Sequence, residues 1–111
     1  MSNSINSIQL LGRLGQDPET TWSENGIRVG ASLAVTIDRD TTDWYPLTAF
    51  GKTGEILANY VRKGEQVNIQ GRISVNRWDD KATGEPRSKV QIIVDRVGLV
   101  GSSSRNALQT I

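Results

Sequence analysis

Three of the six aromatic residues in this 111-residue chain fall within one stretch, Asp43-Trp44-Tyr45-Pro46-Leu47-Thr48-Ala49-Phe50-Gly51-Lys52. Read with the two-residue period of a strand, Tyr45, Leu47 and Ala49 face one way, and Trp44, Pro46, Thr48 and Phe50 the other. Both faces are apolar, so one can close on a core while the other, with two large rings, needs something to cover it. A later strand ends in Asn76-Arg77-Trp78 and carries Arg72 on the face of its indole. Rings spaced along strands with cations among them can stack unpaired bases and neutralise phosphates. The candidates are Trp44, Phe50 and Trp78 for stacking, and Arg13, Lys52, Arg72, Arg77 and Lys89 for phosphate. A protein interface uses the same residue types, so the aromatic face alone leaves both readings open.

Other chemistries find little support. The chain has no histidine and no cysteine, which removes disulfides, thiolate nucleophiles, the usual zinc ligands and the commonest general base. Asp79-Asp80 is the only adjacent carboxylate pair, and it lies in a turn, where solvated acids are the rule. Residues 38–43 lack the glycine of a calcium loop, and Gly51-Lys52-Thr53 lacks the upstream glycine of a phosphate-binding loop because Pro46 stands there. We therefore expect no enzyme, no metal and no cofactor. The formal net charge is only +1, yet it is segregated: residues 15–43 carry two basic side chains against six acidic ones, whereas residues 62–78 carry four against one. Such separation is the form a one-sided electrostatic footprint takes in sequence. With no targeting segment and no apolar run of membrane-spanning length, the expectation is a cytoplasmic protein without a membrane partner.

The elements that must position these residues are short and alternating. Ile8, Leu10, Gly12 and Leu14 mark a first strand, interrupted by the turn Gly15-Gln16-Asp17-Pro18 and resumed by Thr20 to Trp22. Asn25-Gly26 signals a hairpin into a second strand with Ile27, Val29, Ala31, Leu33, Val35 and Ile37 inward. An acidic loop over 38–43 precedes the third strand, Trp44 to Phe50, where Pro46 implies an edge or a bulge. Thr53 can cap a helix whose stripe is Ile56, Leu57, Tyr60 and Val61, closed by Arg62, Lys63 and Gly64. The fourth strand has Val67, Ile69, Gly71, Ile73 and Val75 inward; a loop over 79–86 leads to a fifth with Val90, Ile92 and Val94 inward and Lys89 outward. Three strands, a helix and two strands fit an all-β, five-stranded oligonucleotide-binding barrel with its helix between strands three and four. The domain is expected over residues 1–101, with a short flexible tail over 102–111.

In addition, Leu11-Gly12-Arg13-Leu14-Gly15-Gln16-Asp17-Pro18-Glu19, Trp44 with Phe50-Gly51-Lys52, Tyr60-Val61-Arg62-Lys63-Gly64 and Arg77-Trp78 resemble the bacterial single-stranded-DNA-binding protein family, in order and spacing from about Ile5 to Gly101. The resemblance implies an oligonucleotide-binding fold, usually assembled as a homotetramer, that coats unpaired DNA during replication, recombination and repair without sequence preference. It places Trp44, Phe50 and Trp78 at base-stacking positions. The chain departs from the family pattern in three places. Residues 38–43 are short and lack a tryptophan, Ser74 and Asn76 stand where arginine is common, and the chain ends Ala107-Leu108-Gln109-Thr110-Ile111 without an acidic tip. Recruitment of replication enzymes through such a tip is therefore not expected. The alternatives are an accessory of the primosomal protein N kind or a protein-interaction domain of the same fold, with RNA as the alternative strand.

Overall fold

Folding gathers most of the aliphatic positions read as inward, with one helix face, into a single core, whereas Ile37, Ile73, Val75 and Val90, also read as inward, lie where the strands run past that core and are exposed. The computed structural model describes residues 3–100. Its elements are β1 (Ile8–Leu14), β2 (Glu19–Ser23), β3 (Gly26–Asp38), β4 (Thr41–Phe50), α1 (Gly51–Tyr60), β5 (Gln66–Asp79) and β6 (Pro86–Leu99). Leu14, Val29, Leu33, Leu47, Leu57, Val67, Ile69, Ile92 and Val97 are fully or almost fully buried in that core.

The strands pair in the order β1-β5-β6-β4-β3-β2, and β1 returns to pair with β3 at Arg13↔Ala34 and Leu14↔Leu33. That second pairing closes β1, β5, β6, β4 and β3 into a five-stranded ring, the expected barrel. The sixth strand is β2, which lies along the same edge of β3 that β1 reaches. It pairs from Glu19↔Gly30 to Ser23↔Gly26, with Gly15 donating its N–H to Ser32 O at 2.9 Å between the two. Pro18, which has no N–H to give a ladder, occupies the break and makes two strands of the interrupted first one.

Pro46 is accommodated as an edge position on one side. It is opposite Ser32 on β3, while β4 pairs in parallel with β6 only from Leu47↔Ile92 to Ala49↔Val94. The acidic segment differs from its reading as a loop. Thr41 pairs with Asp38 across the two-residue turn Arg39-Asp40, a bulge follows between Thr36 and Asp38, and Asp40 N–H donates to Asp38 Oδ1 at 2.9 Å. The strand thus begins three residues before Trp44. At the other hairpin β6 begins at Pro86, and register shifts at Gln70/Gly71. Gly71 stands where a Cβ would run into the Ile93 carbonyl, so the close approach of β5 and β6 at that bulge requires glycine.

Helix α1 starts earlier than its stripe suggests. Its N-cap is Phe50, in an extended conformation with no side-chain cap, so Thr53 does not cap it. Gly54, Ile56 and Leu57 are buried and Val61 follows them inward, whereas Tyr60, read as part of the stripe, is half exposed. The expected basic closure lies beyond the helix, whose C-cap is Val61: Arg62 Nη1 reaches back to donate to Ala58 O at 2.9 Å, and Gly64, three residues past the cap, takes a positive φ. The expected tail at 102–111 lies outside the described residues.

Candidate nucleic-acid interface

Alternation alone assigns Trp44, Pro46, Thr48 and Phe50 to the outside of the ring, and β3 leaves room around them. Their cross-strand partners are Ala34 for Trp44, Ser32 for Pro46, Gly30 for Thr48 and Arg28 for Phe50. Three small residues in a row keep this surface low, so the rings stand above it. Trp44 is 57% exposed and Phe50 51%, while Leu47 on the opposite face of the same strand is 2% exposed. That contrast separates an exposed aromatic face from the core within one strand. The two rings are six residues apart, about 20 Å along a strand.

Trp44 rests on the turn after β1. A Cβ added to Gly15 would meet Cζ3 of the indole and lie 3.1 Å from Cη2, so the ring lies directly on the Gly15 backbone. The turn beneath it is tied down on several sides. Gly64 N–H donates to Leu14 O at 2.8 Å, Lys63 N–H donates to Asp17 Oδ1 at 2.8 Å, and Arg13 Nη1 donates to Gly64 O at 3.0 Å.

The third ring is on the β5–β6 hairpin. Register pairs Trp78 with Arg87, Asn76 with Lys89, Ser74 with Gln91 and Arg72 with Ile93. The parallel pair Thr48↔Ile93 puts this row on the same outer face as Trp44 and Phe50. Thr48 is buried, and its hydroxyl donates to Gln91 Oε1 at 2.6 Å, fastening β4 to β6 in the middle of that face. Trp78 is 47% exposed.

The expected site residues therefore divide. Trp44, Phe50, Trp78, Arg72 and Lys89 share one face, and Lys52 is exposed at the start of α1 next to Phe50. Arg13 lies on the outer face where β1 passes from β5 to β3, with part of its guanidinium committed to Gly64. Arg77, by alternation, points to the opposite face from Trp78, opposite Ser88, although it lines the same cleft of ≈ 520 Å³ at the hairpin end with Trp78, Pro86 and Arg87. Two cations were not among the expected residues. Arg28 is the cross-strand partner of Phe50, which the inward placement of Ile27 and Val29 already signalled. Arg87 is the partner of Trp78 and was hidden by placing the start of the last strand too late.

Within the hairpin loop Asp80 organises the turn. Its Oδ1 accepts Ala82 N–H at 2.8 Å and Thr83 N–H at 3.3 Å, and its Oδ2 accepts Arg87 Nε at 3.2 Å. The Ala82 and Thr83 amides hold its carboxyl below the usual aspartate range, against an opposing effect of desolvation that outweighs the further lowering by Arg87. Trp22 is the most exposed ring, at 73%, but pairs with Ile27 and so faces away from Arg28 and Phe50. Among the described residues no group of histidine, cysteine and acidic side chains is arranged to hold a metal ion.

The chain is similar to several known proteins. Residues 5–100 match the model of the Single-strand binding protein family. A Synechocystis protein named Single-stranded DNA-binding protein 1 is 41% identical, covering 97% of this chain and 93% of that one. A Single-stranded DNA-binding protein of Thermosynechococcus vestitus is 38% identical over 88% of this chain and 84% of its own. Among solved structures, a Plasmodium falciparum SSB complex with ssDNA superposes with a TM-score of 0.71 at 26% identity, covering 86% of this chain and 90% of that one. The chain belongs to the Single-strand binding protein family.

Proposed function

We propose that this protein binds single-stranded DNA without reading its sequence and protects unpaired strands in replication, recombination and repair. The observation that carries the reading is the row of half-exposed rings, Trp44, Phe50 and Trp78, on one outer face of the barrel with cations beside it. Each ring offers a π-face that any base can stack on, which is why such a platform tolerates sequence. Lys52, Arg72 and Lys89, with Arg77 at the hairpin cleft and the remaining N–H groups of Arg13, neutralise the phosphates between stacked bases. The role is one of binding, with no catalytic step, in the cytoplasm; no helix among the described residues is long and apolar enough to cross a membrane.

Assembly is part of the proposal. β1 meets β3 only at Arg13 and Leu14, so from Ile8 to Gly12 its second edge has no strand partner among the described residues. Leu11 is 52% exposed on that stretch, and an apolar, unpaired edge is a template for another chain. The expected state is a homo-oligomer, a tetramer by the habit of the family. Light scattering that gave the mass of one chain at micromolar concentration would refute it.

The binding itself is tested by titrating tryptophan fluorescence with a thymidine homopolymer over a range of salt. Saturable quenching is expected, with log affinity falling linearly against log salt at about −0.7 per phosphate contact. Unchanged fluorescence and no complex at low salt would overturn the reading. A matched uridine homopolymer tells whether RNA is bound as well.

A further inference from the structure

Trp78 and Arg87 face each other across β5 and β6, and the guanidinium is held in place. Its Nε donates to Oδ2 of Asp80 at 3.2 Å. Asp80 is itself fixed: besides the two amides on Oδ1, its own N–H donates to Glu85 O at 2.8 Å and its carbonyl accepts Gly84 N–H at 2.6 Å. The loop is thus a rigid post that docks one edge of the guanidinium and leaves the two Nη groups for another acceptor. Stability does not account for this arrangement, because the pair is solvent-accessible and such pairs add little. What it does is fix the direction of a planar, two-pronged donor, the geometry that phosphate oxygens match. The cleft beside it is open between Trp78 and Arg87.

We propose that Arg87 is a phosphate-binding residue of the Trp78 stacking site, and that Asp80 is a positioning residue that orients its guanidinium. The inference rests on the single-strand reading above. It has an unusual sign. A carboxylate inside a polyanion site repels phosphate, so if charge were all that mattered, neutralising Asp80 would tighten binding. If Asp80 positions Arg87, neutralising it weakens binding, because a long side chain must then be ordered each time the strand binds.

The test is a titration of the intact protein and four variants, Arg87→Ala, Arg87→Lys, Asp80→Asn and the double variant Arg87→Ala/Asp80→Asn, with a thymidine homopolymer across salt, each checked by its melting curve. Asparagine keeps the Oδ1 acceptor for the turn and replaces Oδ2, which accepts from Arg87 Nε, with an NH2 donor, so both the charge and the hold on the guanidinium are removed. Arg87→Ala is expected to make the log–log slope less negative by about 0.7, and Arg87→Lys to retain it. Asp80→Asn is expected to weaken binding about 2- to 10-fold, the cost of ordering one side chain. In the Arg87→Ala background the same change is expected to leave affinity unchanged or raise it. Tighter or equal binding by Asp80→Asn alone, or an unchanged slope for Arg87→Ala, would overturn the inference while wild-type binding left the proposed function intact. Absence of wild-type binding would overturn both.

Discussion

Replacing Trp44 with alanine separates a stacking platform from a core aromatic. A fully buried Trp or Phe costs about 3–5 kcal/mol when cut to alanine. Trp44 is 57% exposed, so the part of its area that packs, largely against Gly15, scales that cost to about 2 kcal/mol or less. Losing a platform costs about 1–3 kcal/mol of binding, a rise in Kd of about 5- to 150-fold. Leu47, three residues on and 2% exposed, reverses the balance: Leu47→Ala should cost about 2–5 kcal/mol of stability and leave affinity per folded molecule unchanged. The assay is a denaturant melt of each variant and a titration with a thymidine homopolymer under conditions where both are folded. If Trp44→Ala lost as much stability as Leu47→Ala and bound as tightly as wild type, the outer face would be packing surface and the reasoning would fail.

Trp78→Ala and Phe50→Ala should each weaken binding in the same range with only a partial loss of stability, because each ring is about half exposed; paired melts and titrations check both. Gly15→Ala should lift the indole of Trp44 from its seat, seen as a shifted emission maximum and weaker binding; unchanged emission would mean the ring does not depend on that contact. Asp80 should titrate below the ordinary aspartate value of about 3.9. Because its folded pKa is lowered, its stabilising effect is complete above the unfolded value and is lost only as pH falls through the folded one. An NMR pH titration in which Asp80 protonates at or above the range of the other aspartates would contradict the loop geometry.

Much of the site was legible because a two-residue period carries it. The alternation around Leu47 sorted Trp44 and Phe50 from Tyr45 and Ala49, and the row of Val67, Ile69 and Gly71 likewise placed Arg72 outside. Boundaries were less legible, for local reasons. Asp38 to Asp43 reads as a loop by composition, yet Thr41, Thr42 and Asp43 extend the hairpin because an Asx turn at Asp38 closes it in two residues. Thr53 has the chemistry of a cap, but α1 begins at Gly51, whose positive φ lets the chain turn directly out of β4. Arg87 escaped notice for a related reason: the loop is shorter than its polar residues indicate, since Asp80 folds it on itself. Nothing in sequence spacing reveals that Gly15 and Trp44 meet, because that contact joins a turn to a strand through the closed ring.

The claim that one outer face of the barrel carries the strand is tested most directly by photo-crosslinking to an oligonucleotide bearing 5-iodouracil, with the linked residues mapped by mass spectrometry. The account predicts crosslinks at Trp44, Phe50 and Trp78 and none at Trp22, the most exposed ring, which faces the other way. Crosslinks concentrated at Trp22 or Tyr60, with the three face residues unmodified in a saturated complex, would contradict it.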